Sequence, residues 1–225
     1  MTITLAFDVY GTLIDTHSVV VALEKRLGKN ALKFSSVWRE KQLEYSFRRG
    51  LMQNYETFAV CTSNALDYTC SFFKKNLSQA DKEELLNIYK VLPPFDDVKE
   101  GLTLAQESGF RLFAFSNGSK DAVEMLLTHA EIRDFFLGVV SVDDLKSFKP
   151  NPAVYSHFLR KSGSSGANSW LISGNPFDVI GAISAGMKGA WVQRSPEAIF
   201  DPWGIEPTIT VRELTELPTQ IGNTL

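Results

Sequence analysis

Short apolar runs recur along the chain, each closed by a polar turn and most followed by a helical pattern. "ITLAF" (3–7) ends on Asp8, "RLFAF" (111–115) on Ser116-Asn117-Gly118, "GVVSV" (138–142) on Asp143-Asp144, and "SWLI" (169–172) on Ser173-Gly174-Asn175. "GAWV" (189–192) leads to Gln193-Arg194-Ser195, and "TITV" (208–211) reads as an edge strand. Helical patterns follow at about 120–130 and after Asn175. Apolar runs of this length, bounded by turn residues and alternating with helices, belong to strands buried on both faces. The pattern predicts an α/β fold: a Rossmann-like, mostly parallel sheet with helices on both faces.

Residues 16–92 break that rhythm. "VVALEKRL", "VWREKQLEYSFRR", "ETFAVCTSNALDYTCSFF" and "ADKEELLNIYKVL" place apolar residues three and four apart, which predicts four or five helices and no strand. Pro93-Pro94 closes the stretch. An insert of this size is too large for a crossover. The predicted division is therefore an α/β core of 1–15 and 93–225, with an all-helical cap, 16–92, over the sheet's active edge. "KSGSSGANS" (161–169) reads as a surface loop before a strand.

Composition narrows the function classes. The 225 residues are 44% hydrophobic, enough for one ample core. Lys and Arg number 23 against 26 Asp and Glu, for a net charge of −3, and no basic stripe is present. That argues against nucleic acid and against an anionic membrane surface as partners. No apolar run is long enough to span a bilayer. The start "MTITLAFDVYG" lacks a basic n-region and carries an acid early, unlike a signal peptide. Cys61 and Cys70 are nine positions apart in a helical pattern, which at about 100° per residue puts them on opposite faces. Unpaired thiols and a cytoplasmic location are expected.

In open parallel sheets, ligands bind beyond the carboxyl ends of the strands. Asp8/Tyr10/Thr12, Ser116/Asn117 and Ser173/Asn175/Asp178 all fall there, and Lys149 stands just ahead of a helix. Each cluster has a plain reading on its own. Gly11-Thr12 is ordinary turn chemistry, and Asn151-Pro152 and Asn175-Pro176 are each a helix cap followed by a first-turn proline. Their coincidence on one edge points to a site.

"FDVYGTL", "SNG", "KPNPAVY" and "SGNPFDVIGAISAGM" occur in the order and spacing of the haloacid dehalogenase superfamily. With "WREKQLEYSFRRGLM" in the cap, the chain resembles its (S)-2-haloacid dehalogenases. The resemblance implies that Asp8 attacks the halogen-bearing carbon of a 2-haloacid, and that the resulting ester is then hydrolysed. Lys149 would keep Asp8 ionised, since a nearby cation lowers a carboxylate's pKa. Thr12 and Tyr155 would steady Asp8 and Lys149. Ser116 and Asn117 would hold the substrate carboxylate or that of Asp8. Asp178 would activate the hydrolytic water, with Lys149 or Ser173 orienting it. Arg39 and Asn175 would receive the halide, and Tyr10, Leu43, Phe58 and Phe177 would wall the alkyl side. A homodimer through cap helices is implied, with no metal and no cofactor. Two positions depart from the pattern: Phe177 stands where Trp is common, and Glu40 where Gln is expected.

Tyr10 can be weighed physically. Most members of that superfamily are phosphatases, which use Mg²⁺ and an acid two residues after the nucleophile. Here position 10 is Tyr, and Asn175 stands where another carboxylate is usual. A hard cation needs several oxygen ligands, mainly carboxylates, so the set is depleted. Halide leaves without a proton, so such a substrate has no use for the missing acid. The alternatives are a Mg²⁺-dependent phosphomonoester phosphatase and a catalytically inactive binding protein of the same fold. His17, His129 and His157 show no ligand spacing.

Overall fold

The computed structural model describes residues 2–224. Six strands, β1 (Thr4–Phe7), β2 (Arg111–Ser116), β3 (Gly138–Ser141), β4 (Ser169–Ser173), β5 (Lys188–Val192) and β6 (Ile209–Val211), form one sheet in the order β3-β2-β1-β4-β5-β6. Every pairing is parallel. The sheet is thus wholly, rather than mostly, parallel among the described residues. β1 and β4 are buried along their whole length, whereas "TITV" does supply an edge strand with an exposed residue.

Alternation along the strands assigns side chains to two cores. Leu5, Phe7, Leu112, Ala114, Trp170 and Ile172 share one with α5 (Val98–Glu107), α6 (Lys120–His129) and α9 (Leu217–Gly222). Ala6, Phe113, Phe115 and Leu171 share the other with α7 (Pro152–Ser162) and α8 (Pro176–Ser184). Register aligns the carboxyl ends: Phe7 pairs with Ala114 and Ile172, Ser116 with Ser141, and Ser173 with Trp191.

Between β1 and β2 lie the helices α1 (Val19–Leu27), α2 (Ala31–Leu51), α3 (Phe58–Phe72) and α4 (Gln79–Ile88). Thr57 caps α3, and Ser78 with Asp81 forms a capping box on α4. Trp38, fully buried, ties α2 to α3 by donating its indole N–H to the Thr62 carbonyl at 2.9 Å. The "KSGSSGANS" expectation needs correction. α7 continues through Ser162 and ends on Gly163 at φ +64°, and a 3₁₀ turn spans Gly166–Asn168. The left-handed glycine cap makes a compact helix stop where composition alone suggested a longer loop. Cys61 and Cys70 are buried free thiols. No described helix is long and apolar enough to cross a membrane.

Candidate active site

The chain leaves β1 through a tight reversal. Gly11 N–H donates to the Ile14 carbonyl at 2.9 Å and Ile14 N–H to the Val9 carbonyl at 3.0 Å. Gly11 sits at φ +81°, a conformation side-chain-bearing residues avoid. The reversal brings Thr12 back beside Asp8, which is only 7% exposed at the end of β1. Its Oδ2 accepts from Thr12 Oγ1 at 2.8 Å, Asn175 Nδ2 at 2.8 Å and Ser173 Oγ at 3.4 Å. Its Oδ1 accepts from Lys149 Nζ at 3.1 Å.

Lys149 is the hub. Its buried ammonium also donates to the Phe115 carbonyl at 2.8 Å and to Asp178 Oδ2 at 2.7 Å. Burial pulls its pKa down, but the Asp178 and Asp8 carboxylates outweigh that and the net shift is upward. Asp178 is fully buried in the first turn of α8. Burial pushes its carboxyl up, against the pull of Lys149, to about 6. A carboxylate poised there can take a proton from water near neutral pH.

Tyr155 corrects the expectation that it steadies Lys149. Its hydroxyl donates to Asp178 Oδ1 at 2.8 Å, and so acts on the ammonium only through that carboxylate. Burial and the Asp178 charge hold its pKa well above 10. Ser116 and Asn117 are buried beside the site, but neither donates to Asp8. Ser116 Oγ accepts from Gly118 N–H at 3.1 Å, and Asn117 Oδ1 accepts from the Lys149 backbone N–H at 2.9 Å. They shape the turn and pin the lysine's main chain. Ser173 Oγ bonds Asp8 and accepts from Asn175 N–H at 3.1 Å, leaving Lys149 to orient Asp178.

Asn175 occupies the cap position of α8, with Pro176 following, yet its side chain makes no capping bond. Its Nδ2 reaches Asp8 Oδ2 and the Tyr10 carbonyl (3.2 Å) instead. Arg39, from α2, donates from Nη2 to that same carbonyl at 3.2 Å. Two side chains expected to receive the halide therefore converge on one oxygen, one carried by the insert and one by the sheet.

Of the expected apolar wall, Tyr10 meets Phe58 at 6.0 Å between ring centroids, and Leu43 is half-buried one helical turn beyond Arg39. Phe177 packs edge-on against Phe47 at 5.0 Å. Burial pushes the Tyr10 phenol up to about 12, so it stays neutral. Glu40 is exposed on α2, in water.

Sequence reasoning missed Phe47, Phe148, Gln42, Tyr55 and Arg194. Phe47 had a signal, lying four and eight positions after Leu43 and Arg39 on one helix face. Phe148 stacks on Tyr55 at 5.1 Å, and the Tyr55 hydroxyl bonds Asp143, joining the α2–α3 loop to the turn after β3. Gln42 bonds Arg39. Arg194 donates to the Thr12 carbonyl from Nε (3.1 Å) and Nη2 (2.6 Å), and from Nη1 to Asp97 at 2.7 Å. It braces the nucleophile's loop from behind, and nothing in the local sequence announces it.

The Asp178 shift sets a pH prediction. In the ester the Asp8 charge that helps raise Asp178 is gone, so its carboxyl lies below the value of about 6 that it holds in the free enzyme. Turnover limited by a hydrolytic second step should therefore rise with pH on the acid side of that value and level off above it. An Asp178→Asn variant that hydrolyses the ester at the wild-type rate would remove Asp178 as the base.

Residues 5–192 match the family model described as haloacid dehalogenase-like hydrolase. Haloacetate dehalogenase H-2 of Moraxella sp. (strain B) is 37% identical over 207 residues, covering 92% of each chain. An (S)-2-haloacid dehalogenase of Pseudomonas putida is 34% identical over 221 residues, covering 98% of this chain and 97% of its own. The solved structure of L-2-haloacid dehalogenase from Xanthobacter autotrophicus with chloropropionic acid covalently bound superposes with a TM-score of 0.90. It is 29% identical over 100% of both chains. With a family match across most of its length and relatives of this similarity, the chain belongs to the haloacid dehalogenase-like hydrolases.

Proposed function

We propose that the chain hydrolyses (S)-2-haloalkanoic acids to (R)-2-hydroxyalkanoic acids and halide, without a metal ion, through an ester on Asp8. One observation carries the metal-free part. Asp8 Oδ2 and the Tyr10 carbonyl, two oxygens converging as a cation's ligands would, both accept from Asn175 Nδ2, at 2.8 and 3.2 Å. An amide N–H₂ fills the place of a hard cation, and Lys149 supplies the positive charge on the other carboxylate oxygen. The similarity to haloacid dehalogenases supports the substrate class.

In the first step, an Asp8 oxygen bonds to C2 from the side opposite the halogen. The carbon–halogen bond breaks, and halide departs with the bonding pair toward Arg39 and Asn175. A pre-placed cation and amide in a closed site stabilise that developing charge. C2 inverts. In the second step, water adds to the ester carbonyl carbon of Asp8 while Asp178 takes its proton. Collapse breaks the ester C–O bond and expels the alkoxide, which takes the proton back from Asp178 and leaves as the hydroxyacid, while water's second proton passes from the Asp8 carboxyl to solvent and the carboxylate is regenerated. C2 is untouched in this step. Asp178 is oriented by Tyr155 and Lys149. Residues 16–92 act as the cap that brings Arg39, Leu43, Phe47 and Phe58 over the core of 1–15 and 93–225. Pairing of two copies through the cap, where Tyr68 and Phe72 are 36% and 57% exposed, and a reducing, cytoplasmic setting for the free thiols belong to the same proposal.

The deciding measurement is halide release from (S)-2-chloropropionate, with and without excess EDTA. Release unaffected by the chelator is expected. Cleavage of phosphomonoesters that EDTA abolishes, with no chloride set free, would replace this reading by the phosphatase one.

A further inference from the structure

Arg39 is gripped from two sides. Nη2 donates to the Tyr10 carbonyl of the core, and Nη1 donates to Gln42 Oε1 at 2.7 Å. Gln42 is 1% exposed, and its Nε2 donates to Thr62 Oγ1 on α3. Thr62, 5% exposed, passes its own proton to the Phe58 carbonyl at 2.9 Å. The direction of this chain of bonds is unambiguous. A guanidinium has no acceptor, so Gln42 must turn its oxygen to Arg39 and its N–H₂ to Thr62, whose hydroxyl then donates onward.

We propose that Gln42 and Thr62 are positioning residues that aim the Arg39 guanidinium at the departing halide while leaving its charge unspent. The inference rests on the halide role proposed for Arg39 above. Its physical content is the neutrality of the partner. A carboxylate at position 42 would grip the guanidinium as firmly but cancel the charge that an anion needs. The amide fixes direction and leaves the full positive charge available. The relay ends on the carbonyl of Phe58, whose ring faces Tyr10. The guanidinium and the apolar wall are thus set by one buried strut between α2 and α3.

Leaving-group dependence tests this. Chloride is the poorer leaving group, so its departure leans harder on Arg39 than bromide's. kcat/KM for halide release reports the first irreversible step, here carbon–halogen cleavage. Gln42→Met should lower kcat/KM for (S)-2-chloropropionate by about tenfold to a hundredfold, the scale of a misplaced catalytic group. It should lower that for (S)-2-bromopropionate less, so the bromide-to-chloride ratio rises. Gln42→Glu should raise the ratio too, because it quenches the charge. Thr62→Val, a milder change that guards against misfolding of the first variant, should shift the ratio the same way by less. Thr62→Ser, which keeps the hydroxyl, should retain the wild-type ratio. A merely structural role lowers the active fraction for both halides alike. An unchanged ratio in Gln42→Met and Thr62→Val would therefore overturn the inference. Wild-type protein that releases neither halide would instead sink the proposed function itself.

Discussion

Asp8→Asn should abolish halide release, with kcat falling by about 10⁴-fold or more, as losses of a catalytic nucleophile do. The amide lacks the nucleophilic oxyanion. It would also turn an N–H₂ toward either Lys149 or the donors Thr12 and Asn175, which now feed the carboxylate. The fold should survive, because Lys149 keeps its 2.7 Å contact with Asp178. A single turnover of wild-type protein in ¹⁸O-water should place the label in the Asp8 carboxylate, read by peptide mass, and none in the hydroxyacid. Label appearing first in the product would mean that water attacks the substrate carbon directly.

Lys149→Met should be nearly as damaging. The thioether fills the lysine's stem, but Asp8 and Asp178, at 3.1 and 2.7 Å from the lost nitrogen, face each other with no cation between them. At least one carboxyl then stays protonated near neutrality, and a loss of about 10³-fold in halide release is expected. Stability should fall by about 3–5 kcal/mol, the usual result of breaking a buried ion pair. The pH dependence has a definite sign. Without the lysine, the Asp178 carboxyl, already raised to about 6, climbs further above its unfolded value. Its contribution favours folding at low pH and is lost as pH climbs through the raised value. Urea midpoints for the variant should be closer to wild type at pH 5 than at pH 8.5. A variant as stable as wild type at pH 8.5 would show that Lys149 does not hold these charges in place.

The sheet was legible because each strand is short, apolar and stopped by a turn, and because parallel strands must be buried on both faces. The same rule placed Asp8, Ser173 and Asn175 together, since register aligns the carboxyl ends where they stand. Lys149 and Asp178 needed the resemblance as well as the pattern. What escaped was contact between distant elements. Tyr155 had an obvious lysine nearby in sequence, yet packing of α7 on α8 delivers its hydroxyl to Asp178. Asn175 obeys the capping rule in position and breaks it in bonding: its Nδ2 donates to Asp8 and the Tyr10 carbonyl, and its oxygen accepts from no helix N–H. Arg194 and Gln42 have no motif. Each acquires its partners only once the segments bearing them have packed.

On the proposed roles, the shared grip of Arg39 and Asn175 on the Tyr10 carbonyl has a kinetic corollary. Since these donors ride on different halves of the molecule, the anion's berth is whole only while those halves touch. Any parting of those halves would dismantle the very grouping that draws the ion off carbon, so a substitution that loosens their contact should slow bond breaking even where it touches no reacting atom.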